Sequence, residues 1–91
     1  MLNTNTYKAI AHPIRRDILK RLRSGPKTAG DLAQHFDISK PSLSSHFSIL
    51  KDADLVFTRR DGNHIHYNLN VTVANEVLAA LMDLFGIEKE T

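Results

Sequence analysis

The sequence predicts a mainly helical fold with one small β-hairpin, in the order ααααββα. Three observations carry this. Thr28 to Leu50 reads as two short helices joined by a tight turn, Leu55 to Leu69 as a two-stranded hairpin with a basic tip, and Val71 to Phe85 as one amphipathic helix. Two helices, a turn and a following hairpin make a helix-turn-helix with a wing, and residues 1–91 are expected to form a single domain.

The first helix is expected around Asn5 to Ala11, with Tyr7, Ile10 and Ala11 as its apolar contacts. Pro13 suits the first turn of a second helix, where its missing N–H leaves nothing unpaired. That helix turns Ile14, Ile18, Leu19 and Leu22 inward and keeps Arg15, Arg16, Lys20, Arg21 and Arg23 outside. Its basic face reads first as solvated, with one or two side chains open to flanking phosphates and Asp17 able to pair with one of them. Gly25-Pro26 stops it.

Thr28 is an N-cap candidate, and Asp31 three residues on completes a variant capping box. Leu32, Ala33 and Phe36 face the core. The turn Phe36-Asp37-Ile38 is expected to need positive φ, supplied by Asp37. Ser39 caps the next helix, and Pro41 sits harmlessly in its first turn.

This helix, Ser39 to Leu50, is the most informative element. At 100° per residue Leu43, Phe47 and Leu50 share one stripe. Pro41, Ser45 and Ser48 point the other way, with Lys40 and Ser44 nearer the side. An ordinary solvated face would carry Glu and Lys. Small hydroxyls can enter a major groove without clashing and can bond phosphates or base edges. His46, at the edge of the core stripe, is either half-buried structure or a base reader.

Beyond Asp54, Leu55-Val56-Phe57-Thr58 is β-prone, Asp61-Gly62 signals a hairpin turn, and the return strand alternates. Ile65, Tyr67 and Leu69 fall on one side, with His64, His66 and Asn68 on the other. Arg59 and Arg60 beside the turn suit phosphate or minor-groove contact, the plainer alternative being a solvated pair. His64 and His66 offer two ligand positions with no third partner, so no metal is expected. Val73, Ala74, Val77, Leu78, Leu81, Leu84 and Phe85 form a broad apolar stripe on the last helix, which Gly86 ends; residues 87–91 are expected to fray.

Composition narrows the class. The net charge of +2 divides unevenly, with 11 Lys/Arg against 5 Asp/Glu in residues 1–60 and 1 against 5 in residues 61–91. A basic front suits a face set against phosphate. With no cysteine, disulfides and thiolate metal sites are excluded. No apolar run is long enough to span a bilayer and no signal-peptide pattern opens the chain, so a cytoplasmic protein without stable membrane insertion is expected. No base–orienter pair accompanies the serines, no glycine-rich phosphate loop occurs, and neither enzymatic activity nor a cofactor is expected.

These residues resemble the ArsR/SmtB-type winged-helix repressors of bacteria over nearly the whole chain. Tyr7 to Leu19, reading YKAIAHPIRRDIL, is similar to the family opening K-A-L-A-D-P-T-R-R-x-I-L, with His12 and Ile14 as departures. Ser39 to Leu50 resembles S-x-x-x-V-S-x-H-L-x-x-L, matching at Ser39, Ser44, His46 and Leu50. Asp54-Leu55-Val56 stands where the family has G-L-V. Arg60 to Leu69 looks like its wing, R-x-G-x-x-x-x-Y-x-L. The metal sites of the family's sensors do not carry over: Thr28 to Ala33 lacks the thiolates, and the last helix has no His. Among metal-free branches the chain looks closest to SdpR-like autorepressors, through Thr28-Ala29-Gly30-Asp31, Ser39-Lys40-Pro41-Ser42 and Leu69-Asn70-Val71-Thr72.

The resemblance implies a homodimeric transcriptional repressor of a palindromic operator in double-stranded DNA, its own promoter among the candidates. Ser39, Lys40, Pro41, Ser42, Ser44, Ser45, His46 and Ser48 are the expected contacts on the helix, and Arg59, Arg60 and Asn63 on the wing. Tyr7, Ile10, Val73, Ala74, Val77, Leu78, Leu81 and Phe85 are the expected dimer seam, the plainer alternative being an ordinary core helix. A protein-binding winged helix and a metal- or ligand-responsive repressor are the competing readings. The releasing signal stays open among a protein or membrane-protein anti-repressor, changing protein levels and a ligand between subunits.

Overall fold

The computed structural model describes residues 4–88. Its elements run α1 (Thr4–Ile10), α2 (Pro13–Leu22), β1 (Lys27–Thr28), α3 (Ala29–Ala33), α4 (Lys40–Asp52), β2 (Val56–Asp61), β3 (His64–Leu69) and α5 (Val71–Phe85). Every expected helix and both hairpin strands are present; β1 is additional. Two residues long, it pairs antiparallel with β3, Lys27 opposite Tyr67 and Thr28 opposite His66. The sheet is thus three-stranded, β1-β3-β2, with the return strand of the hairpin at its centre. So short a strand has no period of its own, and only the distant partner makes it one.

Caps fix the helix boundaries. His12, held in extended backbone as residues before proline are, accepts from Ile14 N–H through Nδ1 at 3.1 Å and opens α2. Thr28 and Asp31 form the reciprocal box at α3: Asp31 N–H donates to Thr28 Oγ1 at 3.0 Å, and Thr28 N–H donates to Asp31 Oδ2 at 3.1 Å. Those bonds hold the Asp31 carboxyl below its usual range, the Thr28 backbone N–H acting most strongly and its hydroxyl next. Ser39 caps α4 by accepting from Ser42 N–H, and Asn70 caps α5 by accepting from Val73 N–H.

The turn before α4 differs from expectation. Asp37 does not take positive φ; among the described non-glycine residues only Asp54 does, at 59°. α3 ends early, at Ala33, and His35 N–H and Phe36 N–H bond back to Leu32 and Ala33 carbonyls. The reversal is spread over residues 34–39, so no single residue need be left-handed. Asp54 is where that conformation is required. It closes α4, with Asp54 N–H on Lys51 O and Leu55 N–H on Leu50 O, both at 3.0 Å. Asp tolerates this region better than most side chains.

The hairpin turn also sits one residue later than its sequence signal. Asp61 pairs with His64 as the last rung, leaving Gly62 and Asn63 as the two-residue loop. Gly62, at φ 63°, stands first, as a type II′ turn prefers. Gly86, at φ 70°, ends α5 as expected.

The core collects Ala9, Ile18, Leu22, Leu32, Leu43, Phe47, Leu50, Ala53, Leu55, Val56 and Val77. Phe47 stacks on Tyr67 with centroids 4.5 Å apart and rings inclined by 25°, seating α4 on the sheet. Tyr67 and Leu69 turn inward as the alternation requires, but Ile65, near the hairpin tip, is exposed, because the strand there has outrun the core.

Candidate nucleic-acid interface

The core stripe of α4 is buried at Leu43, Phe47 and Leu50, and its opposite face stands free. Lys40, Pro41, Ser42, Ser44, Ser45 and Ser48 are all exposed, and no acidic residue lies between Ser39 and Leu50. At the start of the helix the Ser39 hydroxyl donates to Ser42 Oγ at 3.0 Å while accepting from Ser42 N–H at 3.3 Å. The two hydroxyls form one polar corner at a helix N-terminus. Lys40 and Ser44 also edge a cleft of 270 Å³ between α3 and α4, whose floor is Ala29, Gly30, Ala33, Leu43 and Phe47.

His46 packs against the start of α2. It is half-buried, its ring centroid 4.4 Å from that of His12, and its Nδ1 lies 3.1 Å from Arg15 Nη1. Burial lowers its pKa below the ordinary histidine value, and the nearby His12 and Arg15 lower it further.

The wing divides by pleat. Phe57, Arg59 and Asp61 share one face with Asn68, His66 and His64, whereas Thr58 and Arg60 share the other with Tyr67 and Ile65. Arg59 and Arg60 therefore leave the strand in opposite directions, and both are exposed. The Arg59 guanidinium stands 5.8 Å from the centroid of the Phe57 ring. Arg59, Arg60, Asp61, His66, Asn68 and Pro26 line an open groove of 480 Å³, and Asn63 occupies the tip. Exposed Phe57 was not singled out in the sequence; its place opposite Asn68 on the outer face follows only once the register is known.

The basic face of α2 is largely engaged within the chain. Arg15 and Arg16 bond carbonyls at the end of α1. Arg21 Nε lies 3.2 Å from Asp17 Oδ1 and its guanidinium 5.7 Å from the Phe36 ring centroid. Lys20 and Arg23 remain exposed. The pairing expected of Asp17 is present. Arg15 and Arg16 are structural caps, a role whose only sequence signal is two arginines just after a His-Pro helix break.

The seam candidates separate into two sets. Val77 is buried in the chain's own core, against which Ile10, Val73 and Leu81 also pack. Ala74 and Tyr7 are half-buried, and Leu78 and Phe85 stand open at 58% and 70% exposure. Tyr7, Ala80, Leu81, Asp83 and Leu84 line a groove of 400 Å³ between α1 and α5. Among the described residues no group of three or more His, Asp or Glu is placed to hold a metal, and no helix is long and apolar enough to cross a membrane.

Capped helices, a free hydroxylic face on the second of a helix pair and a basic hairpin beside it define a winged helix-turn-helix transcriptional regulator. Residues 12–58 match the bacterial regulatory proteins of the arsR family, and the chain belongs to that family. It is 51% identical to the transcriptional repressor SdpR of Bacillus subtilis over 82 residues, spanning 90% of this chain and 91% of that one. It is 39% identical to the arsenical resistance operon repressor of Staphylococcus aureus, over 81% of this chain and 71% of that protein. A crystal structure described as a possible transcriptional regulator for arsenical resistance superposes with a TM-score of 0.80 at 35% identity, covering 94% of this chain and 88% of the other. This is a family of transcriptional regulators, not of enzymes.

Proposed function

We propose that the chain is a homodimeric repressor that sets α4 of each protomer into successive major grooves of an inverted-repeat operator. The observation that carries this is the outward face of α4, free of acidic groups and exposed from Lys40 through Ser48 except at its core stripe and at His46. Ser42, Ser45 and Ser48 supply hydroxyls for groove and phosphate contacts, with Lys40 at the helix start and Pro41 leaving room for close approach. Arg59, Arg60 and Asn63 anchor the wing on the backbone to either side. SdpR and the Staphylococcus aureus relative are named as repressors, which supports repression as the outcome of binding.

The open face of α5 supports dimerisation. Leu78 and Phe85 lie within about 20° of each other on the helix, at 100° per residue. Both are exposed, beside the groove that Tyr7 lines. A second copy laid on this face covers large apolar side chains that a monomer leaves in water.

The decisive experiment is selection of bound duplexes from a random pool by the full chain. The expected product is an inverted repeat with half-sites about 10 base pairs apart, centre to centre. Recovery of no duplex above background, even at low salt, would refute the reading.

A further inference from the structure

One guanidinium joins three helices. Arg15, on the first turn of α2, donates from Nε to the Ala9 carbonyl at 2.7 Å and from Nη2 to the Lys8 carbonyl at 3.0 Å. Both acceptors lie in the last turn of α1, where carbonyls have no partner within the helix and carry its negative end. The third arm, Nη1, reaches Nδ1 of His46 on α4 at 3.1 Å. Arginine has no acceptor and keeps its proton throughout the range in which proteins fold. The donor in that last contact is therefore Arg15, and His46 Nδ1 must accept. The imidazole is then neutral, with its proton on Nε2.

The geometry has a mechanical meaning. α4 is seated by one stripe, Leu43, Phe47 and Leu50. A stripe resists lifting the helix off the core but resists rolling it about its axis only weakly. His46 lies 100° around the helix from Phe47, so a tether there opposes roll. A roll of about 10° moves side-chain tips some 5–6 Å from the axis by roughly 1 Å, enough to spoil a hydrogen bond to a base edge.

We propose that Arg15 is a positioning residue for DNA recognition: it latches the last turn of α1 to α4 through a neutral His46, and so fixes the angle at which the serine face meets the groove. The inference rests on the reading of α4 as the recognition helix. It does not place Arg15 on DNA. The latch also makes operator discrimination sensitive to acid, since a protonated His46 cannot accept from Arg15. The charged and titratable groups around the ring are His12, which caps α2, and Arg15 on its first turn. Lys8 of α1 and Asp52 of α4 stand further along the 420 Å³ groove that Arg15 also lines. Half-burial, and after it the nearness of His12 and Arg15, already disfavour the charged ring, so its pKa lies below the usual 6.5. The latch is therefore intact above pH 6.5 and is lost as the pH falls through that depressed value.

The test uses the full chain and two duplexes of equal length, the selected operator and an unrelated sequence, titrated over salt and pH. Arg15→Ala and His46→Leu are expected to lower operator affinity about tenfold while leaving the unrelated duplex and the salt dependence unchanged, because phosphate contacts are kept and register is lost. His46→Asn keeps an acceptor near the place of Nδ1 and cannot titrate; it is expected to retain operator affinity and to lose the fall in discrimination that the wild type shows below neutral pH. His12, His35, His64 and His66 are present in both proteins, so only the difference between the two profiles reports the latch. Should Arg15→Ala not fold, Arg15→Lys keeps the charge but not the fork, and the His46 pair stands on its own. Equal losses on both duplexes, with a salt slope shallower by about 1.8 per dimer, would make Arg15 a phosphate contact and overturn the proposal. Unchanged discrimination in Arg15→Ala, Arg15→Lys and His46→Leu would overturn it as well. A wild type that binds no duplex would instead sink the reading of α4 beneath it.

Discussion

α4 and α5 are built alike and finished differently. Each lays one apolar stripe on the core, through Leu43, Phe47 and Leu50 in α4 and through Val73, Val77 and Leu81 in α5. Each leaves another face open. That of α4 is small and hydroxylic, at Ser42, Ser45 and Ser48; that of α5 is large and apolar, at Leu78 and Phe85, with Leu84 and Ile87 beside them. Serines in water are already satisfied by it, so α4 needs no partner and gains one only where a donor pattern fits. A leucine or phenylalanine in water forgoes about 1.5–3 kcal/mol that burial would return. The α5 face is therefore unfavourable uncovered, and the α4 face is not. On the proposed function, a lasting partner belongs on α5 and a reversible one on α4, as a dimer that binds and leaves DNA would require.

The widest separation between the two faces is expected from Leu78→Glu. The side chain is already exposed in the monomer, so the fold survives, but a carboxylate in the proposed seam cannot be covered without a large desolvation cost. Sedimentation should give monomers at micromolar concentration. Operator affinity should fall by about a hundredfold or more, because the two half-sites no longer act together. A stable Leu78→Glu dimer would move the seam elsewhere.

Ser45→Glu is the matching change on α4. It should leave the dimer intact and stability within about 0.5 kcal/mol of wild type. A carboxylate facing phosphates should still weaken operator binding by about tenfold to a hundredfold. If Ser45→Glu dissociated the dimer, or Leu78→Glu bound DNA as well as wild type, the division of labour between the two helices would be wrong.

Much of the fold was legible in the sequence, because local rules decide it. The box at Thr28 and Asp31, the cap at Ser39 and the stripe of α4 follow from residue type and a period of 3.6. What was not legible depends on residues far apart in the chain. β1 is a strand only because Tyr67 and His66 lie opposite it. The expectation at Asp37 failed because α3 stops at Ala33 and gives the turn more residues, and the left-handed position is Asp54 instead. Arg15 looked like one more solvated cation on a basic face. Its role as a latch appears only when α1, α2 and α4 meet.

The smallest effect is expected at the wing, which supports the α4 face from the side. Arg60 stands opposite Ile65 near the tip, on the face of the strand away from Phe57, whereas Arg59 is drawn back over the Phe57 ring. Arg60 is thus the freer of the two to reach a phosphate, and a phosphate contact reads no base. Arg60→Ala should weaken operator and unrelated duplexes alike, by about threefold to tenfold. Each lost contact takes about 0.9 from the magnitude of the log–log salt slope, so the dimer should lose about 1.8. Arg59→Ala should do less on both counts, since part of its guanidinium is spent on its own strand. A larger loss at Arg59 would show that the outer face of the wing, with His66 and Asn68, is the one turned toward DNA. Arg60→Ala that spared the unrelated duplex but not the operator would make the wing a reader of sequence or groove width, and α4 would no longer be the only source of specificity.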